Sequence, residues 1–208
     1  MWAGSAPPPA PPSAPASYAP TLEDRLLREA AGLSPRALHA ALTSRESLRA
    51  RGEVHSPLLS VIDYGLPSTR PRLWVFDLDS ERVLFHELVA HGRTSGWDLA
   101  VSFSNHDGTY MSSLGAFVTG SAYDGKNGYS LHLRGTDPDL NDRAEARAIV
   151  MHGAPYVDEA VALKYGRLGR SLGCPAIRPA IARQLIDEIR DGSVLYAWHP
   201  SIAGALPR

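Results

Sequence analysis

Residues 166–176 read Gly166-Arg167-Leu168-Gly169-Arg170-Ser171-Leu172-Gly173-Cys174-Pro175-Ala176 and contain the only cysteine among 208 residues. A cysteine kept for packing usually sits inside a periodic apolar run. This one sits between glycine and proline, in a turn where backbone amides can face a ligand. The context favours a nucleophile over a small buried apolar residue. Upstream, Ala148-Ile149-Val150-Met151-His152-Gly153 reads as a short buried strand ending on a histidine, so a base can reach the thiol from a strand end. Downstream, Pro179 opens an amphipathic helix predicted over 178–190, with Ile181, Leu185, Ile186 and Ile189 on one face and Asp191-Gly192 as the stop. Residues 193–198 then form a last strand.

Between residues 58 and 152 the pattern is short β-rich runs separated by turn residues. Strands are predicted over 58–64, 73–78, 83–90, 99–103, 115–119, 129–133 and 148–152, each carrying β-branched or aromatic side chains. An Asn127-Gly128 step between two such runs predicts a hairpin. Residues 141–147 are expected to add a turn or two of helix. The fold class is therefore mainly β, a sandwich or barrel-like sheet, with one helix after the cysteine and a helical hairpin before the first strand. In that hairpin Thr21 is the expected N-cap, with Glu23 and Asp24 in the first turn, and Ser34-Pro35 opens a second helix running to about Gly52. Residues 5–20 are almost wholly Ala, Pro and Ser and read as an extended tether. The expected organisation is a tether over 1–20, a helical hairpin over 21–52 and a catalytic domain over 53–208.

Composition narrows the function classes. A hydrophobic content of 44%, a charged content of 21% and a net charge of -1 without like-charge blocks give no footprint for nucleic acid or for an anionic membrane surface. No run approaches the roughly 18 apolar residues of a membrane helix. Met1-Trp2-Ala3-Gly4 lacks the basic segment and apolar core of a secretion signal, leaving either a protein that stays inside or a trimmed form. His86, His91, His106, His132 and His152 lie on or beside strands, but no His-x-His or His-Glu-x-x-His pair fixes ligands on one element, so neither metal nor cofactor is expected. The Gly-x-Ser-x-Gly elbow of a serine hydrolase is missing too.

A thiol attacks carbonyls as thiolate, so it needs a proton acceptor. His152 is the first candidate, and His91, which ends the apolar run before Gly92, is the alternative. Gly173 and the amide of Cys174 are the candidate oxyanion donors, since glycine allows close backbone approach.

Taken together, His152-Gly153 and Gly169-Arg170-Ser171-Leu172-Gly173-Cys174-Pro175-Ala176 resemble the signature of YkuD-type L,D-transpeptidases, in the branch of murein L,D-transpeptidase catalytic domains. Val89-Ala90-His91-Gly92, Phe103-Ser104-Asn105, Ser112-Ser113-Leu114-Gly115, Tyr123-Asp124-Gly125-Lys126 and Asn141-Asp142 extend the likeness over about 58–198. The resemblance implies an exported, envelope-located enzyme without a cofactor, acting on diaminopimelate-containing peptide stems of peptidoglycan. It implies that Cys174 attacks the third-residue carbonyl and expels D-alanine, that His152 is the base, and that Ser171 holds the site by hydrogen bonding. A second stem as acceptor gives a 3-3 cross-link and water gives carboxypeptidase activity; carbapenems would acylate the same thiol. Two departures stand out: Leu172 occupies the position of the commonest form's histidine, and Ala176 that of an arginine. Arg170 and Arg178 are then the candidates to bind a stem carboxylate, with Tyr123, Gly153 and His91 lining the substrate path. The departure at Leu172 also keeps open a catalytically silent wall-binding domain. Oligomeric state is not legible in the sequence.

Overall fold

The computed structural model describes residue 1 and residues 19–202. Apart from residue 1 and its last two residues, the Ala/Pro-rich tether expected over 1–20 lies outside the described residues. Helix α1, Leu22–Glu29, opens with a reciprocal cap: the Thr21 hydroxyl accepts from the Asp24 amide and the Asp24 carboxylate accepts from the Thr21 amide. Helix α2, Pro35–Ala50, begins with proline in its first turn and buries Ala37, Leu38, Ala40, Ala41 and Leu48. Both helices share one apolar core with the sheet.

Among the described residues nine strands form one sheet: β1 Leu58–Asp63, β2 Leu73–Asp77, β3 Arg82–Glu87, β4 Val89–Ala90, β5 Gly115–Gly125, β6 Gly128–Gly135, β7 Val150–Gly153, β8 Ala176–Ile177 and β9 Val194–Trp198. Their order is β3-β2-β1-β9-β5-β6-β7-β8-β4, and the sheet curls into a nearly closed, barrel-like form. Most neighbours are antiparallel, but β1 pairs β9 and β7 pairs β8 in parallel. All six residues of β1 and all five of β9 are buried, as expected for central strands covered on both faces. Helix α4, Pro179–Ile189, lays Ala182, Leu185, Ile186 and Ile189 onto this core, packing against β7. The mainly-β architecture with a preceding helix pair and a helix after the cysteine is thus the fold.

Four local readings differ. The predicted strand over 83–90 is two, β3 and β4, separated at Leu88. Residues 99–103 form no strand beyond a single Gly96–Ala100 bridge; Leu99 and Val101 are exposed, and the Val101 and Ser102 amides both donate to the Ser95 carbonyl. Residues 141–147 are consecutive turns, because buried Asn141 diverts the backbone: its side chain donates to the Ala116 carbonyl and accepts from the Asp137 amide. Helix α3, Glu159–Tyr165, was not anticipated. It buries only Ala162 and leaves Leu163 and Tyr165 exposed, so it carries no apolar periodicity. Its signals were the Asp158 N-cap and Gly166 in the left-handed region.

Candidate active site

The parallel β7–β8 pair organises the site. It sets His152 opposite Ala176, which places Cys174, two residues before Ala176, level with Val150 on the neighbouring strand, where the Val150 amide donates to the sulfur. Cys174, His152, Gly153, Ser171 and Arg170 line one open cavity of about 430 Å³, together with Tyr156, Leu172, Lys126 and Asn127. The last two arrive because Gly125 pairs with Gly128, which makes Lys126-Asn127 the tip of the β5–β6 hairpin.

The loop carrying the cysteine is pinned on several sides. The Ser171 amide donates to the His91 carbonyl at 3.0 Å, and the Arg93 amide donates to the Ser171 carbonyl at 2.8 Å. The Ser171 hydroxyl donates to the Cys174 carbonyl at 2.6 Å and accepts from the Gly173 amide at 3.1 Å. The Ser112 hydroxyl donates to the Gly173 carbonyl and accepts from the Gly92 amide. Gly173 has φ of +123°, and a Cβ there would lie 2.9 Å from both Ile149 Cδ1 and the Met111 carbonyl, so only glycine fits. The Gly173 amide is therefore already engaged with Ser171. Of the two oxyanion candidates, Gly173 thus has a resting partner for its amide, and the Cys174 amide has no carbonyl partner among the described residues.

Cys174 is 8% exposed. Its sulfur accepts from the Val150 amide at 3.5 Å and donates to the Ala148 carbonyl at 3.8 Å. A sulfur that donates is a thiol, and burial pushes its pKa above the usual value, opposed by the Val150 amide and by the Arg147 charge. No hydrogen bond joins the sulfur to an imidazole among the described residues. Burial thus favours the thiol over the thiolate, so the sulfur needs a base to take its proton before it attacks. The Nδ1 of His152 lies 3.0 Å from the Gly153 carbonyl, which can only accept, so Nδ1 carries the hydrogen and Nε2 keeps the lone pair.

The other candidates sit elsewhere. His91 is fully buried, with Nδ1 2.8 Å from an Arg72 nitrogen that can only donate; burial first, then the Arg72 charge, push its pKa down to about 4. The Gly96 carbonyl opposes this but lies outside hydrogen-bonding geometry, so Nε2 has no partner among the described residues. His91 touches the site through its backbone. Arg178 makes a two-pronged ion pair with Glu87, at 2.8 and 2.7 Å, which occupies the guanidinium fork. Tyr123 stacks on His132 with ring centres 4.3 Å apart and does not line the cavity.

Three contributors escaped the sequence reading. Tyr156 lines the cavity, and burial pushes its phenol up to about 12, so it stays a hydrogen-bond donor. Lys126 was visible only as part of a motif. Arg147 braces the floor by donating to the Ser104 and Met111 carbonyls while its charge acts on Cys174. A buried-strand pattern preceded by arginine was the only hint of the last.

No curated protein sequence matches the chain. Among solved structures, the L,D-transpeptidase (residues 123-326) from Xylanimonas cellulosilytica is 14% identical, with a TM-score of 0.42, 92% of this chain and 100% of that one covered. The helical cell shape determining protein Pgp2 from Campylobacter jejuni is 14% identical, with a TM-score of 0.42 and 69% of this chain covered. L,D-transpeptidase 1 of Mycobacterium tuberculosis is 13% identical, with a TM-score of 0.34 and 61% of this chain covered. This chain spans 44% of the Campylobacter protein and 55% of the Mycobacterium one. Family assignment rests on sequence instead: the L,D-transpeptidase catalytic domain family matches residues 29–198, beginning inside α1, earlier than the motifs alone reach. That family acts on the peptide stems of peptidoglycan in the cell envelope, and no described helix is long and apolar enough to cross a membrane. The chain belongs to the L,D-transpeptidase catalytic domain family.

Proposed function

We propose that the chain is a cysteine acyltransferase that forms 3-3 cross-links between tetrapeptide stems of peptidoglycan. The observation that carries this reading is the shared cavity of Cys174 and His152, with the histidine tautomer set so that Nε2 is a base. In the first half-reaction Nε2 takes the thiol proton and the sulfur attacks the carbonyl of the third stem residue. The Cys174 amide faces the charge that develops on oxygen. When the tetrahedral intermediate collapses, the C–N bond breaks, the imidazolium returns its proton to the departing D-alanine amine, and a thioester remains. In the second half-reaction the side-chain amine of another stem attacks the thioester, His152 takes a proton from it, and the sulfur leaves as thiol. No metal or cofactor enters either step. The activity belongs in the cell envelope, where the stems are.

Because burial favours the protonated sulfur, the thiol proton has to pass to Nε2 as the attack takes place. Incubating the protein with disaccharide-tetrapeptide and following mass tests the proposal. Cross-linked dimer with released D-alanine supports it, and tripeptide alone makes water the acceptor and the protein an L,D-carboxypeptidase. Retention on sacculi without any adduct or turnover, for stems and for a carbapenem alike, would leave only a wall-binding domain.

A further inference from the structure

The cavity holding Cys174 is lined by two cations, Lys126 and Arg170, and by no carboxylate. Neither cation has a salt-bridge partner among the described residues, although the chain as a whole carries 22 acidic residues against 21 basic ones. Arg170 is held from one side only. Its Nη1 donates to the Arg93 and Gly96 carbonyls at 3.1 and 2.9 Å, and its guanidinium lies 4.6 Å from the centre of the Trp97 ring. Arg167 packs over the same ring at 4.1 Å. The Nε and Nη2 donors of Arg170 have no hydrogen bond among the described residues, and that edge of a guanidinium matches a carboxylate in two-pronged fashion. Lys126 is exposed at the β5–β6 hairpin tip, a point charge on a flexible stem.

Resting on the proposed function, we infer that this cavity selects a donor stem whose carboxylates are free rather than amidated. Arg170 reads one carboxylate as a rigid fork, and Lys126 attracts a second. A tetrapeptide stem ending in diaminopimelate and D-alanine offers two candidates beside the scissile bond: the side-chain carboxylate of the third residue and the C-terminal carboxylate of the leaving one. Trp97 is a positioning residue, keeping the Arg170 fork turned toward its ligand. The two cations differ in kind. The Arg170 contact is partly shielded and geometric, whereas Lys126 works through solvent and is screened by salt.

The test compares disaccharide-tetrapeptide carrying a free third-residue side-chain carboxylate with the same molecule amidated there. Binding is measured by calorimetry to the Cys174→Ala protein, and turnover with the wild type. The expected result is that amidation weakens binding about tenfold, roughly 1.4 kcal/mol, that Arg170→Gln erases the difference, and that Arg170→Lys does not restore it. Lys126→Gln, an exposed change that leaves the fold intact, weakens binding of the free acid by a smaller factor that disappears at high salt. Trp97→Ala raises KM for the free acid with little change in kcat. Equal binding of the two peptides, binding of neither, or discrimination that survives Arg170→Gln overturns the inference. The two readings separate cleanly: a wild type that turns over both peptides equally keeps the proposed function and sinks the charge selection. A wild type that discriminates in binding yet forms no thioester keeps the charge selection and sinks the acyl transfer.

Discussion

At the scale of single residues, the histidines show how burial and partner choice divide one side-chain type into different roles. Among the described residues His152 holds its ring by one nitrogen and leaves the other without a hydrogen bond, while the Nδ1 of His91 is enclosed against a guanidinium that can only donate to it. Replacing His152 by Ala is expected to lower turnover by about 10²–10⁴-fold, the usual contribution of a positioned base, and His91→Gln to leave turnover near wild type. If His91→Gln were the inactive variant in a stem-peptide assay, the base assignment would be wrong. Cys174→Ala removes turnover altogether while costing about 1 kcal/mol of stability, the scale of deleting one small buried group. The state of the thiol is open to a direct measurement. Because burial raises its pKa, alkylation by iodoacetamide should be slow at neutral pH and rise about tenfold per pH unit as the thiolate fraction grows. Arg147→Gln removes a charge that favours the thiolate, so it should slow alkylation at any fixed pH, whereas Arg147→Lys should retain most of the rate. A rate already flat from pH 6 upward would mean that the resting enzyme holds a thiolate.

At the scale of elements, packing decides what each stretch becomes. Leu48 in α2 is 1% exposed in the common core, whereas Leu42 on the same helix is only half-buried. Leu48→Ala should therefore destabilise the whole molecule by about 2–5 kcal/mol, read as a lower denaturant midpoint, and Leu42→Ala by clearly less. The same contrast explains what could be read from the chain beforehand. α1, α2 and α4 declare themselves through caps and apolar faces, and the central strands through runs of buried side chains. What stayed hidden was structure held by polar and backbone contacts. The turns over 141–147 follow from a single buried asparagine, and α3 from a cap at each end with almost no apolar face. In the site, the grouping of Cys174, His152 and Ser171 around one cavity was legible because local context gives a turn cysteine, a strand-end imidazole and a loop hydroxyl. Arg178 and Arg170 look equivalent in sequence, and only the fold reveals that one faces Glu87 and the other a cavity without acids. Lys126 depended on which two residues form a hairpin tip, and that is decided by cross-strand register.

At the scale of the molecule, one buried network ties stability to acidity. Arg72 is fully buried, burial pushes its pKa down to about 10, and it donates to the Val89 and Leu66 carbonyls as well as to His91. His91 has a folded pKa near 4 against an ordinary 6.5, so the unfolded chain binds more protons between those values. Stability is thus full above about pH 6.5 and falls as pH drops toward 4, by up to about 1.4 kcal/mol per pH unit for this group. Asp63 and Asp137, both raised by burial, act in the opposite sense in acid. The check is therefore a difference: chemical denaturation of wild type and His91→Gln from pH 4 to 7, with the variant expected to show the shallower loss. Parallel curves would remove His91 as the cause. A last consequence concerns the solitary sulfur in its open cavity. Peroxide that reaches it would yield a sulfenic acid with no neighbouring thiol to condense with, so the chain has no internal route back from oxidation. Reversal of that oxidation then depends on reductants supplied from outside the chain.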